Sequence, residues 1–174
     1  MGVLEAVSTC LRKYATFSGR AARPEYWWFA LVVVALNIAA TAADLTFFGV
    51  EMIEVERTES LADGTTRTME MTAAQQSASP FALVVSLLTF LPFLAVGWRR
   101  LHDTGRSGWW LVAPNGAGLL TVVLSAAGFS VAPALGGALG LVLGLVILVL
   151  WILLIYWLAS RGDTETNAYG PPPA

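Results

Sequence analysis

Four long apolar stretches constrain the fold of this chain more than any other feature. Crossing about 30 Å of hydrocarbon takes roughly 20 residues of α-helix, and each stretch is about that long or longer. Only 13% of the residues are charged, against about 25% in a typical soluble domain. The sequence therefore predicts an all-α integral membrane protein, a single membrane domain over 1–174 with transmembrane helices at 26–48, 80–98, 109–127 and 134–158.

The third apolar stretch is the weakest of the four. Pro114, Asn115, Gly116 and Gly118 interrupt it, and a proline inside a helix removes one backbone hydrogen bond. We expect a kink there, with the freed carbonyl bound by protein rather than exposed to lipid. Whether residues 109–158 form two complete spans stays open at this point.

The distribution of lysine and arginine predicts how the chain is oriented. The lead, residues 1–25, carries four of these residues, the connector 99–108 carries three and the tail 159–174 carries one, whereas the connector 49–79 carries two. Cytoplasmic loops of membrane proteins are enriched in lysine and arginine. We therefore expect both chain ends and the connector 99–108 on the cytoplasmic side, with 49–79 outside.

The lead has the pattern of an amphipathic helix over residues 3–17. Its apolar residues recur at three- and four-residue spacing, while Arg12 and Lys13 fall on another face. Such a helix either lies on the inner membrane surface or packs on loops of the same protein. The apolar face would consist of Val3, Leu4, Val7, Leu11, Tyr14 and Phe17.

The outer connector, 49–79, is acidic and has the pattern of a β-hairpin. Polar and apolar residues alternate over 52–58 and again over 66–71, with Asp63-Gly64 between them. The connector holds six acidic residues and two arginines. It is a solvated outer loop, an acidic lid or a funnel for cations.

The remaining charge is concentrated in GWRRLHDTGRSGWW, residues 97–110. Burying three arginines and one aspartate in lipid would cost on the order of 10 kcal/mol, so the sequence predicts a turn at the membrane surface, flanked by tryptophans. We expect Asp103 to pair with Arg20 or Arg23, and Glu25 with Arg99 or Arg106, with His102 beside them. The turn is then either a structural, salt-bridged element or a basic pocket for an anionic lipid headgroup or another phosphate.

A few polar and small residues inside the spans have specific expected roles. Asp44 lies near the outer end of the first span and should reach water, while Asn37 should bond a neighbouring helix. Gly136, Gly140 and Gly144 recur every four residues and form a smooth face. Such a face permits close packing on another span or on a second protomer, which makes a homo-oligomer a candidate assembly.

The sequence has no pattern typical of a cofactor or metal site, and no nucleic-acid partner is expected. The chain has one histidine and one cysteine, Cys10, which we interpret as a small apolar residue. A hydrolytic metal site needs three or four converging ligands, whereas His102, Asp103 and Glu25 could supply only part of one. We therefore predict no catalytic residue, no metal and no cofactor.

Three segments together resemble a family of small bacterial inner-membrane proteins, catalogued as domain of unknown function eight hundred and five. The matching segments are FSGRAARPEYWWF (17–29), RRLHDTGRSGWW (99–110) and TNAYGPPP (166–173). The resemblance implies a location in the bacterial inner membrane and no established activity. It also implies that one cytoplasmic feature comprises Arg20, Arg23, Glu25, Tyr26, Arg99, Arg100, His102, Asp103, Arg106 and Asn167.

Three functions are consistent with the sequence. The first is a non-enzymatic membrane module whose cytoplasmic cluster is structural and is open to membrane lipids, including anionic headgroups, or to a partner protein. The second is an oligomeric transporter of small solutes or ions, which the scarcity of polar groups within the spans disfavours. The third is a membrane enzyme acting on a lipid phosphate, with His102 and Asp103 as acid–base groups, which lacks a nucleophile.

Overall fold

The computed structural model describes residues 1–60, 66–76, 79–116, 118 and 133–173. The protein is mostly helical, with one small two-stranded sheet. In chain order the elements are α1 (Val3–Arg12), α2 (Arg23–Phe48), β1 (Val50–Ser60), β2 (Thr66–Gln76), α3 (Pro80–Asp103), a short 3₁₀ helix (Gly108–Leu111) and α4 (Pro133–Ala159).

Within the described residues, three helices are long and apolar enough to cross a membrane. They are Arg23–Phe48, Pro80–Asp103 and Leu141–Ala159, and they coincide with the first, second and fourth predicted spans. The third predicted span, 109–127, is not among them. Its first residues form the 3₁₀ helix, residues 113–116 and 118 are helical, and residues 117 and 119–132 lie outside the described residues.

The chain divides into two compact units, and α2 and α3 each contribute to both. One unit comprises Met1–Val32 with Phe90–Ala174, and the other comprises Val33–Thr89. The single membrane domain expected over 1–174 stays a prediction.

In the Val33–Thr89 unit, polar side chains connect α2 and α3. The Ser86 hydroxyl donates to Asn37 Oδ1 at 2.8 Å, so Asn37 bonds a neighbouring helix as expected. Asp44 is fully buried and accepts hydrogen bonds from the backbone N–H groups of Phe81 and Ala82, at 2.9 and 2.8 Å. The prediction that Asp44 reaches water is therefore wrong. The N-terminus of α3 supplies backbone N–H donors, which a pattern of side chains does not reveal.

The sheet lies in the connector that the sequence predicted to be extended. Its two strands pair antiparallel, from Val50 opposite Gln76 to Ser60 opposite Thr66. Both strands are longer than the predicted 52–58 and 66–71. The predicted Asp63-Gly64 turn falls outside the described residues.

The prediction of a basic turn at 99–108 is wrong in its first half. Helix α3 continues through Asp103, so Arg99, Arg100, His102 and Asp103 occupy its last turns. Continuing the helix allows Arg100 to pair with Asp103 at a spacing of three residues. The chain turns only afterwards, at Gly105, whose φ of +69° is in the left-handed region that glycine adopts without strain.

Helices α1 and α4 also differ from expectation. Helix α1 ends at Arg12 rather than near residue 17, and it buries its small residues, Ala6 and Cys10. In α4, no described atom beyond the backbone of the same helix turn lies within 4 Å of the position where a Cβ on Gly144 would stand. Packing of a second protomer on Gly136, Gly140 and Gly144 stays a prediction.

Candidate functional site

Asp103 is the centre of a buried cluster of charges in the unit that holds both chain ends. Arg20 Nε donates to Asp103 Oδ1 at 2.8 Å, and Arg100 Nη1 donates to the other oxygen, Oδ2. All three side chains are at most 5% exposed. Of the two partners expected for Asp103, the structure pairs it with Arg20. One carboxylate thus joins the segment before α2 to the end of α3.

The remaining donors of the two arginines bind backbone carbonyls, most of them in the C-terminal tail. Arg20 donates to the carbonyls of Glu165 at 2.7 Å, Gly170 at 3.2 Å and Asp163. Arg100 donates to the carbonyls of Leu158 at 3.0 Å, Ser160 and, at 3.4 Å, Ala21. We call Arg20, Arg100, Asp103 and the segment 158–170 the clamp.

The tail approaches Asp103 so closely that a side chain would not fit between them. A Cβ on Gly162 would overlap the Asp103 carboxylate. The backbone N–H of Asp163 donates to the Asp103 carbonyl at 2.8 Å. Glycine at position 162 is therefore a steric requirement of the clamp.

A second buried ion pair lies between α2 and α3. Arg99 Nη1 donates to Glu25 Oε1 at 2.6 Å, and neither side chain is more than 4% exposed. Of the two arginines expected for Glu25, the structure uses Arg99. Two other nitrogens of Arg99, Nε and Nη2, are buried without a hydrogen-bond partner among the described residues.

Cys10 joins α1 to this second ion pair. Its sulfur lies 4.0 Å from the Glu25 carbonyl oxygen and is buried. Burial raises the pKa of the Cys10 thiol to about 12, and the negative charge of Glu25 acts in the same direction. The thiol is therefore neutral at physiological pH, in keeping with its interpretation as a small apolar residue.

His102 and Asn167 connect the end of α3 to the tail. His102 Nδ1 lies 3.1 Å from the Gly19 carbonyl oxygen, and the ring stacks on Tyr169 at 3.8 Å and 8°. Asn167 Nδ2 donates to the His102 carbonyl at 2.9 Å and to Asp163 Oδ2 at 2.8 Å. Both residues therefore belong with the clamp in space.

The other three predicted residues lie beside these pairs. Arg23 Nε donates to the Ser160 carbonyl at 2.6 Å, whereas Arg106 stacks over Trp157 with its guanidinium carbon 4.7 Å from the ring centroid. Tyr26 is buried and packs its ring near Phe93. None of the three joins an ion pair described above.

The charged groups of the cluster are bound by groups of its own chain. Both carboxylates, Asp103 and Glu25, are engaged by arginines, and the excess positive charge of Arg20 and Arg100 faces carbonyl oxygens. Among the described residues, no group of three or more His, Cys, Asp or Glu side chains converges as metal ligands would. A groove of about 420 Å³ opens beside the clamp, and Arg23, Pro24 and Thr164 contribute to its lining.

Of the tail, only Asn167 was among the predicted residues, and the residues that bind the arginines were not. Carbonyl oxygens are present in every residue, so nothing in a sequence marks Ser160, Asp163 or Glu165 as partners of an arginine. Gly162 was the one available signal, because a glycine in a polar tail can indicate a close backbone approach.

Comparison with known proteins places these residues in a family. Residues 14–171 match the family described as "Protein of unknown function (DUF805)". The chain belongs to the DUF805 family. The matched range includes every residue of the clamp, whereas α1 precedes it.

Curated relatives of this DUF805 protein are membrane proteins. The chain is 28% identical over 163 residues to "Inner membrane protein YhaH" of Escherichia coli strain K12, covering 94% of this chain and 91% of the relative. It is 29% identical over 164 residues to "Inner membrane protein YhaI" of the same strain, covering 94% and 90%. No solved structure matches the chain. The relatives and the apolar helices agree on a membrane protein.

Proposed function

We propose that this DUF805 protein is a non-enzymatic module of the bacterial inner membrane, and that the clamp is a structural lock at its cytoplasmic surface. The observation that carries the proposal is the sharing of Asp103 by Arg20 and Arg100, both almost fully buried. Removing one member of a buried pair leaves an uncompensated charge, which is strongly destabilising. Such a cluster therefore holds segments together rather than awaiting a substrate.

The proposed lock joins parts of the chain that are distant in sequence. Arg20 precedes α2, Asp103 ends α3, and most of the carbonyls that bind the two arginines follow α4. The lock thus holds the beginning of one spanning helix against the ends of two others. A catalytic role would require a carboxylate or a histidine free to exchange a proton with a substrate, whereas Asp103 and Glu25 already bind arginine.

The proposal includes four membrane crossings with both chain ends in the cytoplasm. Helices α3 and α4 both end at the clamp, yet α4 is 27 residues, or about 40 Å, long. The chain between Asp103 and Pro133 must therefore return to the far end of α4. The excess of lysine and arginine in the segments around the clamp supports a cytoplasmic location for it.

The proposal also assigns lipid-headgroup contacts to Arg23 and Arg106. Arg100 belongs to the segment expected to form a basic pocket, but it is fully buried and its donors are occupied, so it cannot reach a headgroup. Arg23 lines the open groove, and Arg106 is half-buried over Trp157. Native mass spectrometry should find less retained anionic phospholipid in Arg106→Glu than in wild type. Unchanged retention in both Arg106→Glu and Arg23→Glu would contradict this assignment.

A double-mutant cycle tests the structural lock. Arg20→Ala, Asp103→Ala and the double variant should be compared with wild type by thermal unfolding in a mild detergent. Because the two side chains are in direct contact, their effects should be non-additive by about 0.5–3 kcal/mol. Arg161 provides the matched control, since it is exposed and belongs to the same tail. The cycle of Arg161→Ala with Asp103→Ala should be additive.

Two results would contradict the lock. One is additivity of Arg20→Ala and Asp103→Ala. The other is an Asp103→Ala variant that unfolds at the wild-type temperature, which would indicate that the cluster is a surface for an outside partner.

A further inference from the structure

Helix α1 exposes its large apolar residues while burying its small ones. Ala6 and Cys10 are fully buried against the rest of the chain, whereas Leu4 is 86% exposed and Leu11 is 53% exposed. Leu4, Val7 and Leu11 recur at three- and four-residue spacing and therefore form one stripe along the helix. The stripe lies next to the buried side of α1. The polar residues lie on the side of the helix opposite the buried one.

The position of α1 relative to the membrane follows from its anchor. Cys10 packs against the carbonyl of Glu25, which is in the first turn of the spanning helix α2. One turn further along α2, Trp27 and Trp28 are 43% and 39% exposed. Exposed tryptophans at the end of a spanning helix are typical of the membrane–water interface. Helix α1 is thus held at the level where the bilayer begins.

The charge of α1 indicates which surface its apolar stripe fits. Arg12 and Lys13 stand at its C-terminal end, and Glu5 is its one acidic residue. At 10 residues, or about 15 Å, the helix is too short to cross a bilayer. A short helix with an apolar stripe and basic residues is typical of helices that lie in the plane of an anionic membrane surface.

We propose that α1 is an interfacial helix that inserts Leu4 and Leu11 into the leaflet at the clamp end of the protein and places Arg12 and Lys13 on anionic phospholipid headgroups. This rests on the proposed function, which puts the start of α2 at that membrane surface. Helix α1 contributes no residue to the clamp, so the lipid contact and the lock can be tested separately.

Spin labels on α1 test the insertion directly. Leu4→Cys and Leu11→Cys, each in a Cys10→Ala background, should be labelled and placed in nanodiscs of phosphatidylcholine and phosphatidylglycerol at about three to one. Both labels should be relaxed strongly by oxygen, which partitions into lipid, and weakly by a water-soluble nickel chelate. Thr9→Cys is the matched control, because Thr9 lies on the polar side and should show the opposite preference.

The lipid composition tests the charge contribution. Replacing phosphatidylglycerol by phosphatidylcholine should make the Leu4 label shallower, and the double variant Arg12→Gln/Lys13→Gln should abolish that dependence. A Leu4 label as accessible to nickel as the Thr9 label would overturn the inference. A Leu4 label shielded from both reagents and broadened by a second label would also overturn it, by showing that another copy of the chain covers the stripe.

Failure of this inference can be distinguished from failure of the proposed lock. If Arg20 and Asp103 couple energetically but the Leu4 label is in water, α1 is not interfacial and the lock stands. If the Leu4 label is in lipid but the coupling is absent, the lock is wrong and the interfacial helix stands.

Discussion

The two ends of α3 each use a buried carboxylate, and they use it in opposite ways. Asp44 contacts the N-terminus of α3 and binds two backbone N–H groups, whereas Asp103 is the last residue of α3 and binds two arginines. A helix N-terminus attracts negative charge and a C-terminus repels it. Asp44 therefore lies where the helix itself favours an acid, and Asp103 lies where only added cations can stabilise one.

This difference explains what each carboxylate contributes. The donors of Asp44 are two adjacent backbone N–H groups of α3, so the carboxylate caps α3 and joins it to α2. The donors of Asp103 come from its own helix and from a segment 83 residues away in the chain. The contacts of Asp103 therefore connect more distant parts of the chain, and their loss should destabilise the whole unit that contains the clamp.

The largest expected effect is that of neutralising each carboxylate. Asp103→Asn should leave Arg20 and Arg100 without a counter-ion and destabilise the fold by about 3–5 kcal/mol. Asp44→Asn should cost less, about 1–3 kcal/mol, because asparagine keeps only one of the two oxygens that accept from Phe81 and Ala82 and leaves the other buried N–H without an acceptor. Thermal unfolding of both variants in the same detergent provides the measurement. Equal losses would break the comparison between the two ends of α3.

A smaller loss is expected from crowding the clamp without changing its charges. Gly162→Ala places a methyl group against the Asp103 carboxylate, and the tail must move away to accommodate it, at a cost of about 1–3 kcal/mol. Gly144→Ala is the control, since no described atom beyond its own helix turn lies within 4 Å of its Cβ position and alanine favours a helix. Thermal unfolding should separate the two variants. A Gly162→Ala protein as stable as Gly144→Ala would show that the tail does not pack on Asp103.

The smallest effect concerns reactivity rather than stability. Because burial raises the pKa of Cys10 to about 12, the thiol stays protonated at pH 8, and a maleimide should label it slowly until the protein is unfolded. Ala15→Cys in a Cys10→Ala background should react quickly, since Ala15 is exposed. Mass spectrometry follows both reactions. Fast labelling of native Cys10 would show that α1 is not packed at the second ion pair.

Most of the membrane architecture could be predicted from the sequence. Three of the four predicted spans match helices of sufficient length and hydropathy, because twenty consecutive apolar residues have few other stable arrangements in water or lipid. The pairs of Asp103 with Arg20 and of Glu25 with Arg99 were among the expected alternatives. In a chain with so few charges, opposite charges on one side of the membrane have few other partners.

What the sequence determined by itself is the set of segments that must be buried in lipid and the short list of charges that must find one another. Only the tertiary structure decided which arginine binds Asp103, that α3 continues through the charged segment, and that the tail completes the clamp. The cap on α3 by Asp44 belongs with these. For the tail and for Asp44, the physical reason is that the partners are backbone C=O and N–H groups, which every residue has and whose positions exist only once the chain has folded.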